Sequence, residues 1–364
     1  MLFFLPNLPN TKNPHDKSPR LLPGQSPACI FRVTMLEKRY RATLLTVALV
    51  LFAITSLQAA DLYDLRVFPY PASQTISLAG YVSGADPWQD PTSKRARASG
   101  MLRSWLANGQ LSIETEGASC TASVADGEFS ATLPVLSIAS FSLRVSYENE
   151  LLYLGRYTFP EKIEMLVISD VDDTILITEV TSRTRMVINS MFKSVTDRLP
   201  VSGTPEFYRD MFSSLAGGTP HFVYLSSSPA FLSRPLKTFL MQNEFPPGTL
   251  ILKKSLTEGS HHNHKSGWLR QLSGEYPGIP MLLLGDSGEQ DPAIYSEFVE
   301  SSSHPQNIKA VIIHDISETA EDSEALQQYA GRLERLEVPF ITWKNIADLR
   351  LNLIRLAILL DKNG

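Results

Sequence analysis

The sequence predicts an α/β protein, in which a parallel sheet with flanking helices follows a small all-β, sandwich-like domain. From about residue 160, short apolar runs alternate with helical stretches, which is the pattern of βαβ units. Residues 61–160 instead show short segments of alternating apolar and polar residues separated by turn signals, as in antiparallel strands. The length of 364 residues suits about two domains.

The N-terminal 60 residues are predicted to direct export rather than to fold with the rest. Residues 1–34 have no usable period and are interpreted as an extended or mis-assigned leader, with Met35 as the alternative start. Residues 35–60 combine basic residues, an apolar run over 43–57 and small residues at the end, which is typical of a signal peptide. The run is shorter than the roughly 20 residues of a spanning helix, so we expect a periplasmic or secreted protein without a stable membrane anchor.

Charge separates the leader from the remainder. The whole chain has a formal net charge of −5, whereas residues 1–60 carry +5 and residues 61–364 carry −10. An acidic protein of this kind is a poor nucleic-acid binder, because phosphate contacts require clustered basic residues. It also gains little from attraction to an anionic membrane.

The β-rich region contains no cluster of chemically reactive side chains, so we expect a packing or substrate-presenting module. Turns are predicted at 125–128, where Gly127 allows a positive φ, and at 148–150. The segment 83–97 is expected to be an exposed loop. The predicted strands are 75–82, 111–115, 121–124, 129–133, 141–147 and 151–159.

The α/β region, residues 161–364, alternates strands and helices. The predicted strands are 165–169, 221–225, 250–253, 280–284, 310–314 and 339–343. The predicted helices are 182–193, 207–215, 230–243, 265–276, 293–300, 318–336 and 346–360. Three of these strands run into polar residues: Asp170, Ser226 and Asp286. Ligands bind beyond the carboxyl ends of strands in such sheets, so we expect these three residues to converge.

The first strand end predicts phosphoryl-transfer chemistry. Asp170 can attack a phosphoryl group, which would form an aspartyl-phosphate, and Asp172 can move the protons. Mg²⁺ would be needed, because carboxylates and a phosphate repel each other without a cation. The alternative is an Asp-rich turn with no catalytic role, since Asp also favours turns and helix caps. Asp173 has no catalytic role in this scheme and is expected to form hydrogen bonds within the loop.

The other two strand ends supply candidate ligands. Ser226 follows an apolar strand and precedes a helix, as residues that hold phosphate oxygens do, although serines there also cap helices. Ser227 and Thr174 are further candidates for phosphate binding. Asp286 is the predicted third metal carboxylate, and Asp291 is placed to orient Asp286 or its bound water.

A cation is also expected near the phosphate. Lys265, at a predicted helix start, is the candidate that would neutralise phosphate charge, with Lys253 and Lys254 as rivals. The tract at 261–264, which contains three histidines, is interpreted as a solvated Gly/Ser loop rather than a metal site. Helical metal-ligand pairs of histidine are usually four residues apart.

In chain order, Asp170-x-Asp172-x-Thr174, Ser226, Lys265 and Gly285-Asp286-x-x-x-x-Asp291 resemble the motifs of the haloacid dehalogenase superfamily. The longer strings resemble more closely the Mg²⁺-dependent phosphatidate phosphatase family of fungal actin patches and its bacterial relatives. These strings are DVDDTI (170–175), YLSSSP (224–229), HK (264–265) and GDSGEQDP (285–292).

This resemblance covers about residues 160–345 and implies a Rossmann-like fold with Asp170 as nucleophile and Asp172 as acid and base. It further implies Mg²⁺ on Asp170, on the Asp172 carbonyl and on Asp286, with Ser226 and Lys265 on the phosphate. The family often has Asn and an aromatic residue around the serine strand, where this chain reads Ser227, Ala230 and Phe231. That difference leaves the phosphatase prediction intact and weakens the inference of a lipid substrate.

The expected function is therefore a Mg²⁺-dependent phosphomonoesterase that converts phosphatidate to diacylglycerol and phosphate. Alternatives are a soluble or other periplasmic phosphoester substrate, a mutase or phosphotransferase on the same intermediate, or a non-catalytic binding module built on the β-domain. Only about one or two helices separate Asp170 from Ser226, which is short for a closing cap. We therefore expect a mostly open site that admits a large or membrane-borne phosphoester.

Overall fold

Two antiparallel sheets and one parallel sheet make up the part of the protein that the structure describes. The computed structural model describes residues 60–83, 107–177, 199–214, 220–254, 259–317 and 319–351. The predicted signal peptide, the predicted helix 182–193 and most of the loop 83–97 lie outside these residues. Within the described ranges, no helix is long and apolar enough to cross a membrane.

The N-terminal part is a β-sandwich of two antiparallel sheets, in the orders β1-β2-β5 and β4-β3-β6-β7. Alternate apolar residues of both sheets, such as Leu78, Ile113 and Leu143, are fully buried in a shared core. The strands are β1 (Asp61–Tyr70), β2 (Thr75–Ser83), β3 (Gly109–Glu114), β4 (Ser119–Val124), β5 (Glu128–Pro134), β6 (Phe141–Tyr147) and β7 (Glu150–Tyr157).

Strand β1 is absent from the sequence-based prediction. Its six central residues from Asp64 to Pro69 are all buried, so the strand lacks the polar-apolar alternation of a one-sided strand. Asp64 and Arg66 are among these buried residues, and charged residues argue against a buried strand when only the sequence is read.

The two predicted turns form, but only one joins a hairpin. Glu148 and Asn149, with φ of 47° and 72°, connect the paired strands β6 and β7. Asp126 and Gly127, with φ of 50° and 73°, form the other turn, yet β4 and β5 belong to different sheets. The Gly127 carbonyl accepts a hydrogen bond from the Val82 N–H at 2.8 Å, so this turn carries the chain across to the β1-β2-β5 sheet.

The C-terminal part is a six-stranded parallel sheet in the order β10-β9-β8-β11-β12-β13. The α/β prediction is confirmed. The strands are β8 (Met165–Ser169), β9 (Pro220–Pro229), β10 (Gly248–Lys253), β11 (Met281–Asp286), β12 (Ile308–His314) and β13 (Phe340–Trp343). The helices are α1 (Thr204–Ser214), α2 (Ser233–Gln242), α3 (His261–Glu275), α4 (Asp291–Ser301) and α5 (Ala320–Glu334).

Strand β8 occupies the middle of the parallel sheet and is buried along its whole length. Its side chains alternate between two hydrophobic cores, with Val167 on one face of the sheet and Ile168 on the other. Because β9 and β11 flank β8, their carboxyl ends lie beside Asp170, and the Asp170 N–H donates to the Leu284 carbonyl at 2.9 Å. The sheet therefore brings the three predicted strand ends together.

The start of α3 differs from the prediction by about one helical turn. Helix α3 begins at His261, because the Ser260 hydroxyl caps it by accepting the Asn263 N–H at 3.1 Å. The histidine tract is thus the first helical turn, and the expectation of a Gly/Ser loop is wrong. Residues 346–351 are helical as predicted, and the rest of the closing helix lies outside the described residues.

The β-sandwich is attached to the parallel sheet through β1. Side chains of the α/β part donate hydrogen bonds to main-chain carbonyls of β1, so this strand is bonded on two sides. Thr249 donates to Val67 at 2.7 Å, Lys237 to Leu65 at 2.8 Å and Tyr276 to Pro69 at 3.0 Å.

Candidate active site

Asp170 lies at the centre of the site and is fully buried. It directly follows β8, in a turn where the Ile175 and Leu176 N–H groups donate to the Val171 carbonyl. The Asp170 Oδ1 atom is 2.6 Å from the Lys265 ammonium, and Oδ2 accepts a 3.3 Å hydrogen bond from the Thr174 hydroxyl. Burial raises the pKa of Asp170 and the Lys265 ammonium lowers it. The carboxylate is thus oriented from both sides.

Lys265 is a fully buried cation held by three carboxylates. Its Nζ atom lies 2.6 Å from Asp170, 2.5 Å from Asp291 and 3.4 Å from Glu289. The nearest oxygens of these three carboxylates lie within 4.8 Å of one another, which is also the spacing of a metal-binding group. Because the ammonium contacts all three, it supplies the positive charge for this group, and it donates hydrogen bonds to Asp291 and Glu289.

The surroundings of Asp172 raise the proton affinity of its carboxyl group. Its Oδ2 atom accepts hydrogen bonds from the hydroxyls of Ser226 and Ser228, both at 2.9 Å, whereas Oδ1 accepts none from the described residues. Burial and the nearby Glu289 carboxylate raise the pKa of Asp172, while the two hydroxyls lower it. A carboxyl group with a raised pKa and an unbonded oxygen is suited to giving and taking a proton.

Asp286 ends β11 and presents one unsatisfied oxygen. Its Oδ1 atom accepts the N–H groups of Gly288 at 2.6 Å and Glu289 at 3.1 Å. Its Oδ2 atom is buried and has no hydrogen-bond partner among the described residues. Burial raises the pKa of Asp286, and the neighbouring Asp291 and Glu289 raise it further. A buried carboxylate oxygen without a donor fits the ligand of a cation.

Gly285 permits the close approach of Asp291 to the end of β11. A Cβ atom at position 285 would lie 2.5 Å from Asp291 Oδ2, which is closer than real Cβ atoms come. Asp291 begins α4, is fully buried, and also accepts the Asp286 N–H at 3.4 Å. The glycine therefore allows Asp291 to reach both Lys265 and the Asp286 main chain.

The loop after β8 is fixed from the opposite side by β12. Asp173 has a left-handed conformation with φ of 53°, and its carbonyl accepts a 2.7 Å hydrogen bond from His314 Nδ1. The His314 ring stacks on Trp343 with the ring centroids 4.0 Å apart. These contacts give Asp173 and His314 a structural place in the loop that carries Asp172.

The histidines at the start of α3 have separate partners. His264 Nε2 donates to the Ser226 carbonyl at 3.1 Å, and burial lowers the pKa of His264 to about 4. His262 contacts Glu297 at 2.7 Å, and His261 lies 3.8 Å from Glu289. With these separate partners, the described contacts do not gather the histidine tract into a metal site.

Sequence reasoning missed two residues of this site. The first is Ser228, whose hydroxyl donates a hydrogen bond to Asp172. Ser227, which the sequence predicts as a phosphate-binding residue, has a buried hydroxyl without a partner among the described residues. The second is Glu289, which contacts Lys265. Burial raises the pKa of Glu289, but His261 and Lys265 lower this pKa to about 2. Strand alternation offered a signal for Ser228, since residues 226 and 228 share one side of β9.

The similarity of this chain to known proteins agrees with this geometry. Residues 165–315 match the family model described as the catalytic domain of phosphatidate phosphatase APP1. This stretch of the α/β domain is therefore similar to that catalytic domain. The resemblance to the phosphatidate phosphatase family that the motifs predict is thereby confirmed, and the matched residues include Asp170, Asp172, Lys265, Asp286 and Asp291.

Two curated relatives from fungi match this chain. Phosphatidate phosphatase APP1 of Saccharomyces cerevisiae is 30% identical over 162 residues, which are 43% of this chain and 27% of that protein. An uncharacterized protein of Schizosaccharomyces pombe is 26% identical over 188 residues, covering 50% of this chain and 30% of its own length. Each match spans less than a third of the relative.

One solved structure aligns only loosely. The ferredoxin-NADP+ reductase of Plasmodium falciparum is 9% identical, with 78% of this chain and 95% of that chain covered. The TM-score of 0.21 is too low to carry an argument about fold or function.

Proposed function

We propose that this protein is a Mg²⁺-dependent phosphomonoesterase that uses Asp170 as its nucleophile and phosphatidate as its substrate. The arrangement around Asp170 carries the proposal: a buried carboxylate at a strand end, 2.6 Å from a buried ammonium, beside Asp172 with its raised pKa. The name of the Saccharomyces relative supports the choice of substrate.

In the first half of the proposed reaction, an Asp170 carboxylate oxygen attacks the phosphorus atom. The bond between phosphorus and the alcohol oxygen breaks, and protonated Asp172 gives its proton to that oxygen. This leaves an aspartyl-phosphate on Asp170 and a free alcohol. The hydroxyls of Ser226 and Ser228 orient Asp172 through its Oδ2 atom, so Oδ1 carries the proton.

In the second half, Asp172 takes a proton from water while the water oxygen attacks the phosphorus. The bond between phosphorus and Asp170 breaks, which releases phosphate and returns both carboxyl groups to their starting states. The Lys265 ammonium stabilises the restored Asp170 carboxylate and stays close to the developing negative charge.

A divalent cation fits the residues that are present. Besides the protonated Asp172, the four acidic groups Asp170, Asp286, Glu289 and Asp291 lie near a single buried ammonium, so an excess of negative charge remains when they are ionised. The unpartnered Asp286 Oδ2 is the atom best suited to a metal ion. Asp170, the Asp172 carbonyl and Asp286 would hold Mg²⁺, which would neutralise charge on the phosphate.

The proposal is tested by measuring phosphate release from dihexanoyl phosphatidate and from soluble phosphomonoesters, with Mg²⁺ or with EDTA. Asp170→Asn should lower phosphate release at least a thousandfold while the circular dichroism spectrum and melting temperature stay close to those of the wild type. Full activity in Asp170→Asn would refute the nucleophile, and full activity in EDTA would refute the metal. A preference for soluble esters would favour the alternative substrate class.

Export is part of the proposal. The basic residues and the apolar run within residues 35–60 support a signal peptide. N-terminal sequencing of protein recovered after expression of the full chain should find cleavage near residue 60. A protein that retains residues 35–60 in the cytoplasm would contradict this prediction.

A further inference from the structure

A groove of about 600 Å³ lies between the β-sandwich and the edge of the parallel sheet. One wall comes from β1, β2 and β5, and the other from the end of β10 and from α3. The Lys254 ammonium after β10 is 2.5 Å from Glu128 of β5, so an ion pair joins the two walls. Residues that define the groove are Arg66, Tyr81, Phe129, Leu252, His264 and Trp268.

Arg66 gives this groove a polar group within aromatic walls. The residue is only 6% exposed, and its Nε atom pairs with the buried Asp64 at 3.3 Å. Its guanidinium carbon lies 5.0 Å from the ring centroid of Tyr81 and 5.6 Å from that of Trp268. The terminal nitrogens make no hydrogen bond to the described residues, and Arg66 lines the groove.

The groove adjoins the candidate active site. His264 lines it and donates to the Ser226 carbonyl, while the Ser226 hydroxyl donates to Asp172. Leu252 belongs to β10, which is two strands away from β8 in the sheet. Strands are about 4.8 Å apart, so the groove begins roughly 10 Å from Asp170 along the carboxyl edge. That distance is comparable to the length of a glycerol ester with short acyl chains.

We propose that this groove binds the alcohol part of the phosphomonoester and selects acylated substrates. The inference rests on the proposed function, because it assumes that the phosphate lies at Asp170. Tyr81, Phe129 and Trp268 contact the hydrocarbon of the substrate, and burial of that apolar surface supplies affinity. The terminal nitrogens of Arg66 donate to an ester carbonyl oxygen, which distinguishes an acylated glycerol from a plain hydrocarbon chain.

The groove can be blocked without removing any buried side chain. Ser123 is an exposed residue of β4 that lines the groove, and Ser119 is an exposed residue of the same strand that does not line it. In the catalytically inactive Asp170→Asn background, Ser123→Trp should raise the Kd for dihexanoyl phosphatidate at least tenfold by titration calorimetry. Ser119→Trp should leave that Kd within twofold.

A second variant and a second readout separate the possible failures. Arg66→Lys keeps the charge beside Asp64 but loses the planar donors, so it should raise the same Kd several-fold. With active Asp170, Ser123→Trp should lower the ratio of kcat/KM for dihexanoyl phosphatidate to kcat/KM for p-nitrophenyl phosphate at least tenfold. Equal Kd values for Ser123→Trp and Ser119→Trp would overturn the groove. If Ser123→Trp lost binding but the wild type released no phosphate, the groove proposal would stand and the proposed function would be overturned.

Discussion

Lys265 shows how one side chain determines the charge balance of the whole site. A buried ammonium is costly unless carboxylates surround it, and a buried carboxylate is costly unless a cation is near. Here Asp170 and Asp291 both lie within 2.6 Å of Nζ, and Glu289 lies at 3.4 Å. These carboxylates hold the pKa of Lys265 above its usual range despite burial, so the residue stays charged.

Replacing Lys265 by Met should therefore cost both stability and activity. The variant keeps the length of the side chain but leaves Asp170 and Asp291 buried without a cation. Breaking a buried pair in this way typically costs about 3 to 5 kcal/mol of unfolding free energy. Urea unfolding measures the change, and phosphate release should fall at least a hundredfold.

The matched control is Lys344→Met, which removes a surface ion pair with Asp315. The Lys344 side chain is 59% exposed, and such pairs contribute at most about 1 kcal/mol. Equal losses in the two variants would show that the enclosure of Lys265 has no special energetic role.

At the scale of elements, the connection from β11 to α4 fixes the positions of two carboxylates of the site. Asp286 ends the strand and Asp291 begins the helix, so both carboxylates are attached to rigid elements. The Asp286 Oδ1 atom holds the loop closed by accepting two main-chain N–H groups. Gly285 leaves the space that Asp291 occupies.

Gly285→Ala should displace Asp291 from Lys265 and lower kcat at least tenfold, because the new methyl group would overlap Asp291. Gly331→Ala provides the comparison, since a Cβ there has nothing within 4 Å and α5 is helical throughout. That change should stabilise the protein by about 0.5 to 1 kcal/mol without altering kcat. A wild-type kcat in Gly285→Ala would refute the packing argument.

Strands β9, β10 and β1 are linked by a buried hydrogen-bonded chain. Thr249 Oγ1 donates to the Val67 carbonyl at 2.7 Å, so the contact at 3.2 Å from His221 Nε2 is donated by the histidine. Burial lowers the pKa of His221 from about 6.5 to about 4. The folded protein thus keeps this imidazole neutral over a range in which the unfolded chain binds a proton.

The sign of the resulting pH dependence follows from that difference. Above pH 6.5 neither state protonates His221, and below this value the unfolded state gains a proton and stability falls until about pH 4. The full loss is on the order of 3 kcal/mol for this residue. His221→Gln keeps an N–H donor but does not titrate, so its unfolding free energy should fall less than that of the wild type between pH 6.5 and 4. Parallel curves from urea unfolding at several pH values would contradict this.

On the scale of the whole molecule, β1 makes the two parts depend on each other. It belongs to a sheet of the β-sandwich, yet its carbonyls accept hydrogen bonds from Lys237, Thr249 and Tyr276 of the α/β part. The described residues from Ala60 onward accordingly form one compact unit. Removal of the β-sandwich would expose these donors and the apolar surface next to β10.

A chain that begins at residue 161 should therefore be less stable than one that begins at residue 60. In the longer chain, tryptophan fluorescence and far-ultraviolet circular dichroism should report one coincident urea transition. Two separated transitions, or a shorter chain of unchanged stability, would show that β1 does not couple the two parts.

Much of this architecture follows from local sequence patterns. The period of two before residue 160 and the βαβ alternation after it predict the two regions, and the acids behind the apolar run of β8 predict the site. Parallel strands share one carboxyl edge, which is why Asp170, Ser226 and Asp286 are found together. Boundaries were less accurate where a capping residue such as Ser260 extends a helix by a turn.

The tertiary structure alone decided which side chains meet. The sequence by itself determined the fold class, the family motifs and the candidate nucleophile, because these depend on periodicity and on residues close together in the chain. The carboxylate cage around Lys265, the donation from Ser228 to Asp172 and the buried strand β1 depend on contacts between distant segments. Arg66 and Trp268 lie 202 positions apart in the chain, and only folding brings them to one groove.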